Sequence, residues 1–560
     1  MDIRKLTNEL SVSPQIAVSD IAAIRSAGFR AVVCHRPDGE SADQPLFREI
    51  AEAAASQGLV VRHQPIVPGK LADADAAAFA ALLQELPKPV LAFCRTGTRS
   101  ASLWSLIEAT RRPLPDILAT TKSAGYDMSG IVRRIANGGR TPTHLADITH
   151  DIVIIGGGAA GIAAASSLLA RKSDLDIAII DPADTHYYQP GWTMVGAGVF
   201  DAAVTVHTMA SVIPRGTKWI KAAVTAFEPK DNAVILEGCR VVHYKRLIVT
   251  PGLKLDWGKI EGLVETLGSN GVTSNYRYDL APYTWELVRS LTSGRALFTQ
   301  PPMPIKCAGA PQKVMYLSAD HWLRHKRLAD IEVGFYSAGA VLFGVPDYVP
   351  ALMAYVERYK AKLNFQHTLT AIDGPARKAY FKKVAGDQGP ATVEVSFDMI
   401  HVTPPQCAPD FVRVSPLADA AGWVDVDQGT LRHNTFANIW SLGDVCSAPN
   451  AKTAAAARKQ APVVAANIIA DMGQKEEAAA IYDGYGSCPL TVERGKIVLA
   501  EFGYGGKLMP SLPTYLLNGK KPTRAAWWLK ERLLPPLYWH AMLKGKEWLA
   551  KPALTSNTRA

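Results

Sequence analysis

Residues 151–170 read DIVIIGGGAAGIAAASSLLA. An apolar strand, Ile152–Ile155, runs straight into Gly156-x-Gly158-x-x-Gly161, and a run of small residues follows. Strand, tight turn and helix in that order leave free N–H groups and the positive end of a helix dipole at the turn, where a pyrophosphate binds. The three glycines serve the turn, the approach of the phosphate and the packing of helix on strand. A second apolar strand, DIAIID (176–181), ends in Asp181, twenty residues past Gly161, where a carboxylate accepts a ribose hydroxyl. A ligand-free glycine turn would not need that register of strand, helix and acid, so a dinucleotide site is expected here.

Two later segments favour FAD over NAD. RLIVTPGLKLD (246–256) is a strand ending in a Pro-Gly turn at Gly252. TFANIWSLGDVCSAPNAKTAAAARKQ (435–460) is a strand ending in Gly443-Asp444 and leading into a helix; an Asp at such a strand end holds the ribityl chain of a flavin. Either alone is an ordinary strand and cap. Three in order across the chain form the pattern of flavoproteins with two Rossmann-type dinucleotide domains, an α/β class. Between the second and third segments a nicotinamide domain would carry its own GxGxxG. The chain instead has GRALFTQPPMPIKCAGAPQKVMYLSADHWL (294–323), so NADH is not the expected donor. Cys307 lies where a donor approaches the flavin, and Lys306 beside it is expected to lower the thiol's pKa. A buried core cysteine is the plain alternative.

Working outward, residues 1–139 alternate short apolar strands, FRAVVCH (29–35) and PVLAFC (89–94), with alanine-rich helices, the signature of a parallel α/β sheet. NGGRTPTHLAD (137–147) reads as a linker. The expected organisation is a front domain 1–139, a linker 140–149, an oxidoreductase 150–523 and a tail 524–560. In PVLAFCRTGTRSASLWSLIEA (89–109) a strand, a loop opening at Cys94 and a helix converge backbone N–H groups on an anion and favour a thiolate. Arg99 is expected to close that loop. The tail, RAAWWLKERLLPPLYWHAMLKGKEWLAK (524–551), interleaves four of the chain's twelve tryptophans with basic residues. Pro535-Pro536 is expected to split it into two amphipathic pieces lying at a membrane interface. The alternative is a helical pair packed on the protein.

The bulk numbers agree with a multidomain globular enzyme. Of 560 residues 48% are apolar and 20% charged, with a net charge of +10. Scattered basic residues and no nucleic-acid motif argue against nucleic acid. Seven cysteines without a CxxC pair argue against structural zinc, and no metal site is expected. No apolar run suits a signal peptide or a bilayer span.

Residues 150–560 resemble the sulfide:quinone oxidoreductases of mitochondria and many bacteria. The matching pieces are HYYQPGWTMVGAG (186–198), PIKCAGAPQK (304–313), HVTPP (401–405), ADAAGWVDVD (418–427), YDGYGSCPL (482–490) and LPPLYWHAMLKG (534–545). The resemblance implies FAD as cofactor, sulfide as electron donor, quinone as acceptor, and two working cysteines, Cys307 and Cys488. It further implies Ala159 and Ala160 in the phosphate loop, Gln189 as an FAD contact, a backbone contact from Val224 to adenine, and Lys452 among the flavin contacts. By the same resemblance a small thiol, sulfite or cyanide is expected to take the sulfane sulfur. Cys407 and Cys446 depart from the family pattern, as spectators or as a third redox thiol, and Cys34 and Cys239 read as core. The front unit, with HRPDGE (35–40), resembles a small family related to the tyrosine phosphatases and often labelled sulfur transferase. Four residues separate Cys94 from Arg99, the rhodanese spacing; phosphatases have five.

Together these imply a membrane-surface enzyme that oxidises sulfide and hands sulfane sulfur to its own front domain. The expected place is the cytoplasmic face of a bacterial inner membrane, with the oligomeric state open, a homo-oligomer included. The rivals are an NADH:quinone reductase of similar fold, disfavoured by the missing second glycine loop, and a redox-sensing scaffold with a non-catalytic anion-binding front domain.

Overall fold

The computed structural model describes residues 1–41, 44–142, 148–386, 389–449, 451–473 and 479–554. Positions 143–147 of the expected linker at 140–149 lie outside these, as does the end of the tail from 555, and 148–149 already belong to the strand Ile148–Ile155. The chain divides into two compact units: Met1–Thr149 with Ala222–His243 and Asp410–Pro416, and the remainder.

In the first unit, Leu10–Ser13, Val90–Phe93, Ala31–Cys34 and Val60–His63 lie side by side in parallel, with the short Arg4–Lys5 antiparallel at one edge. Both faces are covered, which explains why the strands read as continuous apolar runs. Successive side chains point to opposite faces. Val33 and Ala92 therefore join a core with Phe79, Leu103 and Trp104, while Val32 and Phe93 join one with Ile21, Ile24 and Ile50. The strand Val224–Glu228 and its hairpin partner Ala233–Leu236 also cluster here, with Val132 against Ala226 and Ile235.

In the second unit, Thr217–Ile220, Ile177–Ile180 and Ile148–Ile155 are parallel, and the end of Val241–Val249 pairs with Ile439–Ser441. The helix Ala159–Arg171 leaves the glycine turn as expected. The glycine roles are visible as distances. Gly156 has φ +99°, and a Cβ there would stand 2.4 Å from the Thr250 carbonyl oxygen; a Cβ on Gly161 would stand 1.9 Å from the Gly156 oxygen. A second parallel sheet runs Val272–Thr273, Met399–His401, Gly294–Gln300, Ile331–Ser337, Lys362–Phe365, and three antiparallel strands between His367 and Ser396 follow it. The helix Ala310–Arg324 and the hairpin Gly486–Glu493/Lys496–Phe502 share a core built on Phe298, Tyr316, Trp322 and Leu490.

The tail differs from its expected form. Arg524–Trp528, a π turn at Leu529–Leu533 and Leu534–His540 follow one another without a break, so Pro535-Pro536 does not split it. A first-turn proline loses an N–H that had no partner in its own helix anyway, and a π turn precedes it here. The tail is also tied to the unit. Tyr538 Oη is 2.7 Å from His186 Nε2, and Ser166 Oγ donates to the Leu543 carbonyl at 2.8 Å. Trp527, Lys530, Tyr538 and Trp539 are buried, while Trp528, Leu533 and Trp548 are exposed. Among the described residues no helix is long and apolar enough to cross a membrane.

Replacing Gly161 by Ala forces backbone apart at the turn and is expected to cost about 2 kcal/mol, in the range of overpacked cores. A urea denaturation curve of the ligand-free protein measures it as a lower midpoint; an unchanged midpoint would mean the helix does not pack as described.

Candidate active site

The dinucleotide cradle forms where the sequence places it. Gly158 is the cap of a thirteen-residue helix whose first turn receives no side-chain cap, and a Cβ on Gly158 would meet nothing within 4 Å. That open approach and those free N–H groups of the Ala159–Ala160–Gly161 turn fit a diphosphate. Asp181 accepts the Gly157 N–H at 2.7 Å and the Ala183 N–H at 2.8 Å, which fixes its carboxylate beside the turn. Gly443 has φ +77°, and its α-carbon lies so close to Ala160 that a Cβ would sit 2.8 Å from the alanine methyl. The third glycine segment therefore meets the first, carrying Asp444. Burial pushes the Asp444 carboxyl up against the opposing pull of Lys306 and Lys452. Gly252 has φ +76° with open space around it. Gln189 is exposed, and its side-chain oxygen takes a hydrogen bond from Lys306 Nζ. Lys452 is turned inward, donating to the Asp444 carbonyl at 2.7 Å and the Cys446 carbonyl at 3.0 Å. Val224 opens its strand in the first unit. The donors of the second unit, from the Gly156–Gly161 turn to Asp444 and Lys452, fit FAD.

The decisive geometry lies at Cys307. Its N–H donates to the Lys452 carbonyl at 2.9 Å and its own carbonyl accepts from Ala310 at 2.7 Å. These bonds hold a non-glycine residue at φ +52° just ahead of the helix Ala310–Arg324. Cys488, on the hairpin strand Gly486–Glu493, brings its Sγ to 3.5 Å from Cys307 Sγ. Gly309 makes the approach possible, since a Cβ there would stand 2.6 Å from Cys488 Sγ.

Lys313 Nζ donates to Cys307 Sγ at 3.0 Å. Side chains in the first turn of a helix lean back toward its N-terminus, which carries Lys313 to the sulfur. Lys306, the lysine expected to serve the thiol, points away to Gln189; the adjacent position in sequence is the wrong direction in space. Lys530, from the π turn of the tail, is buried in the same neighbourhood. The hydrogen bond from Cys488 and then the charge of Lys313 hold the Cys307 thiol well below its ordinary value against burial. Cys488 goes the other way, pushed well up by that same hydrogen bond and by burial. Burial works against the Lys313 ammonium, but the two cysteines outweigh it and raise its pKa. Burial, with Lys313's like charge adding, brings Lys530 down to about 7. The site is thus a thiolate–thiol pair beside an ammonium, with a second lysine poised to lose its proton near neutrality. Neither Lys313 nor Lys530 was assigned from sequence. Lys313 stood inside PIKCAGAPQK unremarked, and Lys530 resembles an interfacial lysine among tryptophans.

The other cysteines are placed differently. Cys446 is fully buried, donates to the Gly443 carbonyl at 3.2 Å, and is pushed up by burial. Cys407 lies in a two-residue ladder with Lys254. Cys34 and Cys239 are buried. In the first unit Cys94 is buried at the mouth of the helix Thr98–Glu108, and its Sγ accepts the Gly97 N–H at 3.1 Å. Arg99 does not cap the sulfur. Its guanidinium is held by both oxygens of Glu40, at 2.6 and 2.8 Å, and by the Ile66 carbonyl at 2.7 Å.

Residues 2–111 match the family described as beta-lactamase hydrolase-like protein, phosphatase-like domain, and residues 150–302 match pyridine nucleotide-disulphide oxidoreductase. Among curated relatives, a mitochondrial sulfide:quinone oxidoreductase of Dictyostelium discoideum is 39% identical over 78% of this chain and 95% of its own length. One from Mus musculus is 35% identical over 71% and 87%. The crystal structure of the sulfide:quinone oxidoreductase of Aquifex aeolicus shares the fold with a TM-score of 0.60 at 18% identity, covering 71% of this chain and 92% of that one.

Two substitutions test the site. Gly158→Ala leaves the ligand-free fold intact but is expected to lower flavin content on purification, since its methyl fills the open approach; full flavin content would contradict the cradle. Lys313→Met removes the ammonium from Cys307. Carbamidomethylation of Cys307, followed by peptide mass spectrometry, is expected to be nearly flat from about pH 7 to 9 in the unmodified chain because the thiolate is already formed. In Lys313→Met it rises with pH. Equal profiles would show that Lys313 does not set the thiolate.

Proposed function

The chain belongs to the sulfide:quinone oxidoreductases, and on that footing we propose that sulfide is oxidised through Cys307 and Cys488 and that Cys94 accepts the sulfane sulfur. The enzyme oxidises sulfide and reduces quinone with FAD as its cofactor. The observation that carries the cysteine assignment is the pair of sulfurs 3.5 Å apart with Lys313 Nζ 3.0 Å from one of them.

The asymmetry of the pair assigns direction. When the two sulfurs are bridged, directly or through one further sulfur, the better leaving thiolate is Cys307, because Lys313 stabilises its charge. In the direct bridge HS⁻ therefore attacks Cys488 Sγ. The sulfur–sulfur bond breaks, its electron pair stays on Cys307, and Cys488 becomes Cys488–S–SH with the proton on the outer sulfur. An acceptor thiolate then attacks that outer sulfur, forms a new persulfide and leaves Cys488 as thiolate. Closing the Cys307–Cys488 bond again releases two electrons. Held by the cradle of Gly156–Gly161, Asp181 and Asp444, FAD would supply the two-electron acceptor that couples this pair to quinone. Lys530 and Lys313 draw the sulfide anion in, most strongly below about pH 7, where both are charged.

Acceptors include small thiols, sulfite and cyanide, and in this chain Cys94. Its thiolate takes the outer sulfur of a persulfide, R–S–SH, expelling R–S⁻; no oxidant is needed. Support comes from the Gly97 N–H on Cys94 Sγ, from the helix behind the loop and from the family match of residues 2–111. The front domain is taken as 1–139, the linker as 140–149, the oxidoreductase as 150–523 and the tail as 524–560. The tail and the preceding loop expose Tyr515, Leu516, Trp528, Trp548 and Leu549, a set of side chains suited to a lipid interface where quinone resides.

Cys307→Ser and Cys488→Ser are each expected to abolish sulfide:quinone turnover with FAD retained, and the double variant to be no worse, since the two act as one relay. Cys446→Ser keeps most activity. In anaerobic mixing with an acceptor thiol present, sulfide bleaches the flavin and NADH does not. A dead Cys446→Ser with an active Cys488→Ser would reassign the pair. After turnover without added acceptor, the peptide holding Cys94 gains the mass of one sulfur, and not in Cys307→Ser; sulfur confined to Cys307 and Cys488 would rule out Cys94 as carrier. Replacing Tyr515, Leu516 and Trp528 together by Ser is expected to weaken sedimentation with anionic vesicles by about tenfold, and undiminished sedimentation would place the contact elsewhere.

A further inference from the structure

The loop Cys94–Arg99 has the form of an anion site, yet its arginine is already engaged. Arg99 offers one nitrogen to both Glu40 oxygens and another to the Ile66 and His35 carbonyls, at 2.7 and 3.4 Å. Arg36 binds the same carboxylate through Nε at 2.6 Å, and its other nitrogens are taken by Gln15 at 2.9 Å and Ser41 at 2.7 Å. The cluster is largely buried, with 5% of the Arg36 side chain, 13% of Glu40 and 15% of Arg99 exposed. Two guanidiniums and one carboxylate leave a single net positive charge.

We propose that Glu40 is an internal anion that occupies Arg99, closing the Cys94 loop to phosphomonoesters and other tetrahedral oxyanions and leaving it to sulfane sulfur carried on a thiol. This rests on Cys94 as a sulfur acceptor. A phosphoryl group is recognised by a planar guanidinium offering two parallel N–H bonds together with backbone donors. Here Glu40 holds one arm of that fork and the Ile66 and His35 carbonyls the other, and a dianion would have to displace Glu40 or lie against its like charge. The outer sulfur of a persulfide makes no such demand, because a thiolate aligned with the sulfur–sulfur bond is sufficient for its transfer.

Tyr126 Oη lies against Gly97, close enough that a Cβ there would stand 2.1 Å away, and the Ser13 carbonyl accepts the Cys94 N–H at 3.4 Å. The Tyr126 and Ser13 hydroxyls are more than nine-tenths buried and have no hydrogen-bond partner among the described residues.

The test uses full-length protein and inorganic phosphate as probe, reading how far phosphate protects Cys94 from iodoacetamide by peptide mass spectrometry. In the natural chain no protection is expected up to about 10 mM, a range in which a formed anion site binds. Glu40→Gln frees Arg99 and is expected to tighten phosphate by at least about tenfold, the scale of one charge-assisted hydrogen bond. Adding Arg99→Met to Glu40→Gln removes that gain. Arg99→Met alone has no effect, and this arm stands even if Glu40→Gln fails to fold. Phosphate protection in the natural chain that Arg99→Met weakens, or a folded Glu40→Gln that gains nothing, would overturn the proposal and leave Glu40 a structural brace. Sulfur loading of Cys94 is measured separately, so its failure would remove the carrier role without touching the phosphate result.

Discussion

The contact between Lys313 Nζ and Cys307 Sγ, 3.0 Å long and partly buried, organises the oxidoreductase unit. At that separation two unit charges attract by roughly 5 kcal/mol at an effective dielectric of about 20. Removing both from water costs several kcal/mol per ion. That cost is at least as large as the attraction, so the pair does not add to stability. Its worth is chemical: it makes one of two neighbouring sulfurs the leaving group. The rest of the unit serves that contact. The Lys452 and Ala310 bonds hold Cys307 in a left-handed conformation, Gly309 admits the hairpin, and the hairpin delivers Cys488.

What was legible in the sequence was what is local. The turn at 156–161 and Asp181 work within one βαβ unit, and their glycines carry their steric reasons openly. The Cys307–Cys488 pair is separated by 181 positions, and no periodicity connects a helix start with a hairpin strand; only resemblance joined them. Lys306 and Lys313 show the limit of adjacency. The nearer lysine in sequence points to Gln189, and the one six positions on reaches the sulfur because helical side chains lean backward.

The tail illustrates a different failure. Tryptophans among lysines suggest an interfacial surface, and Trp528 and Trp548 are exposed as that pattern requires. The same stretch buries Trp527, Tyr538 and Lys530, because the helical run continues through Pro535-Pro536 and turns one side inward. In the front unit, too, the spacing from Cys94 to Arg99 was readable, but the guanidinium's partner was not. Glu40 lies 59 positions away in HRPDGE and decides what Arg99 is free to bind.

The most direct test of the cysteine route is a single addition of one equivalent of sulfide to the oxidised enzyme, without quinone or acceptor, followed by alkylation and peptide mass spectrometry. The extra sulfur is expected on the Cys488 peptide, with Cys307 freely alkylated. Extra sulfur on Cys446, or a bleached flavin with no sulfur added to either member of the pair, would contradict it.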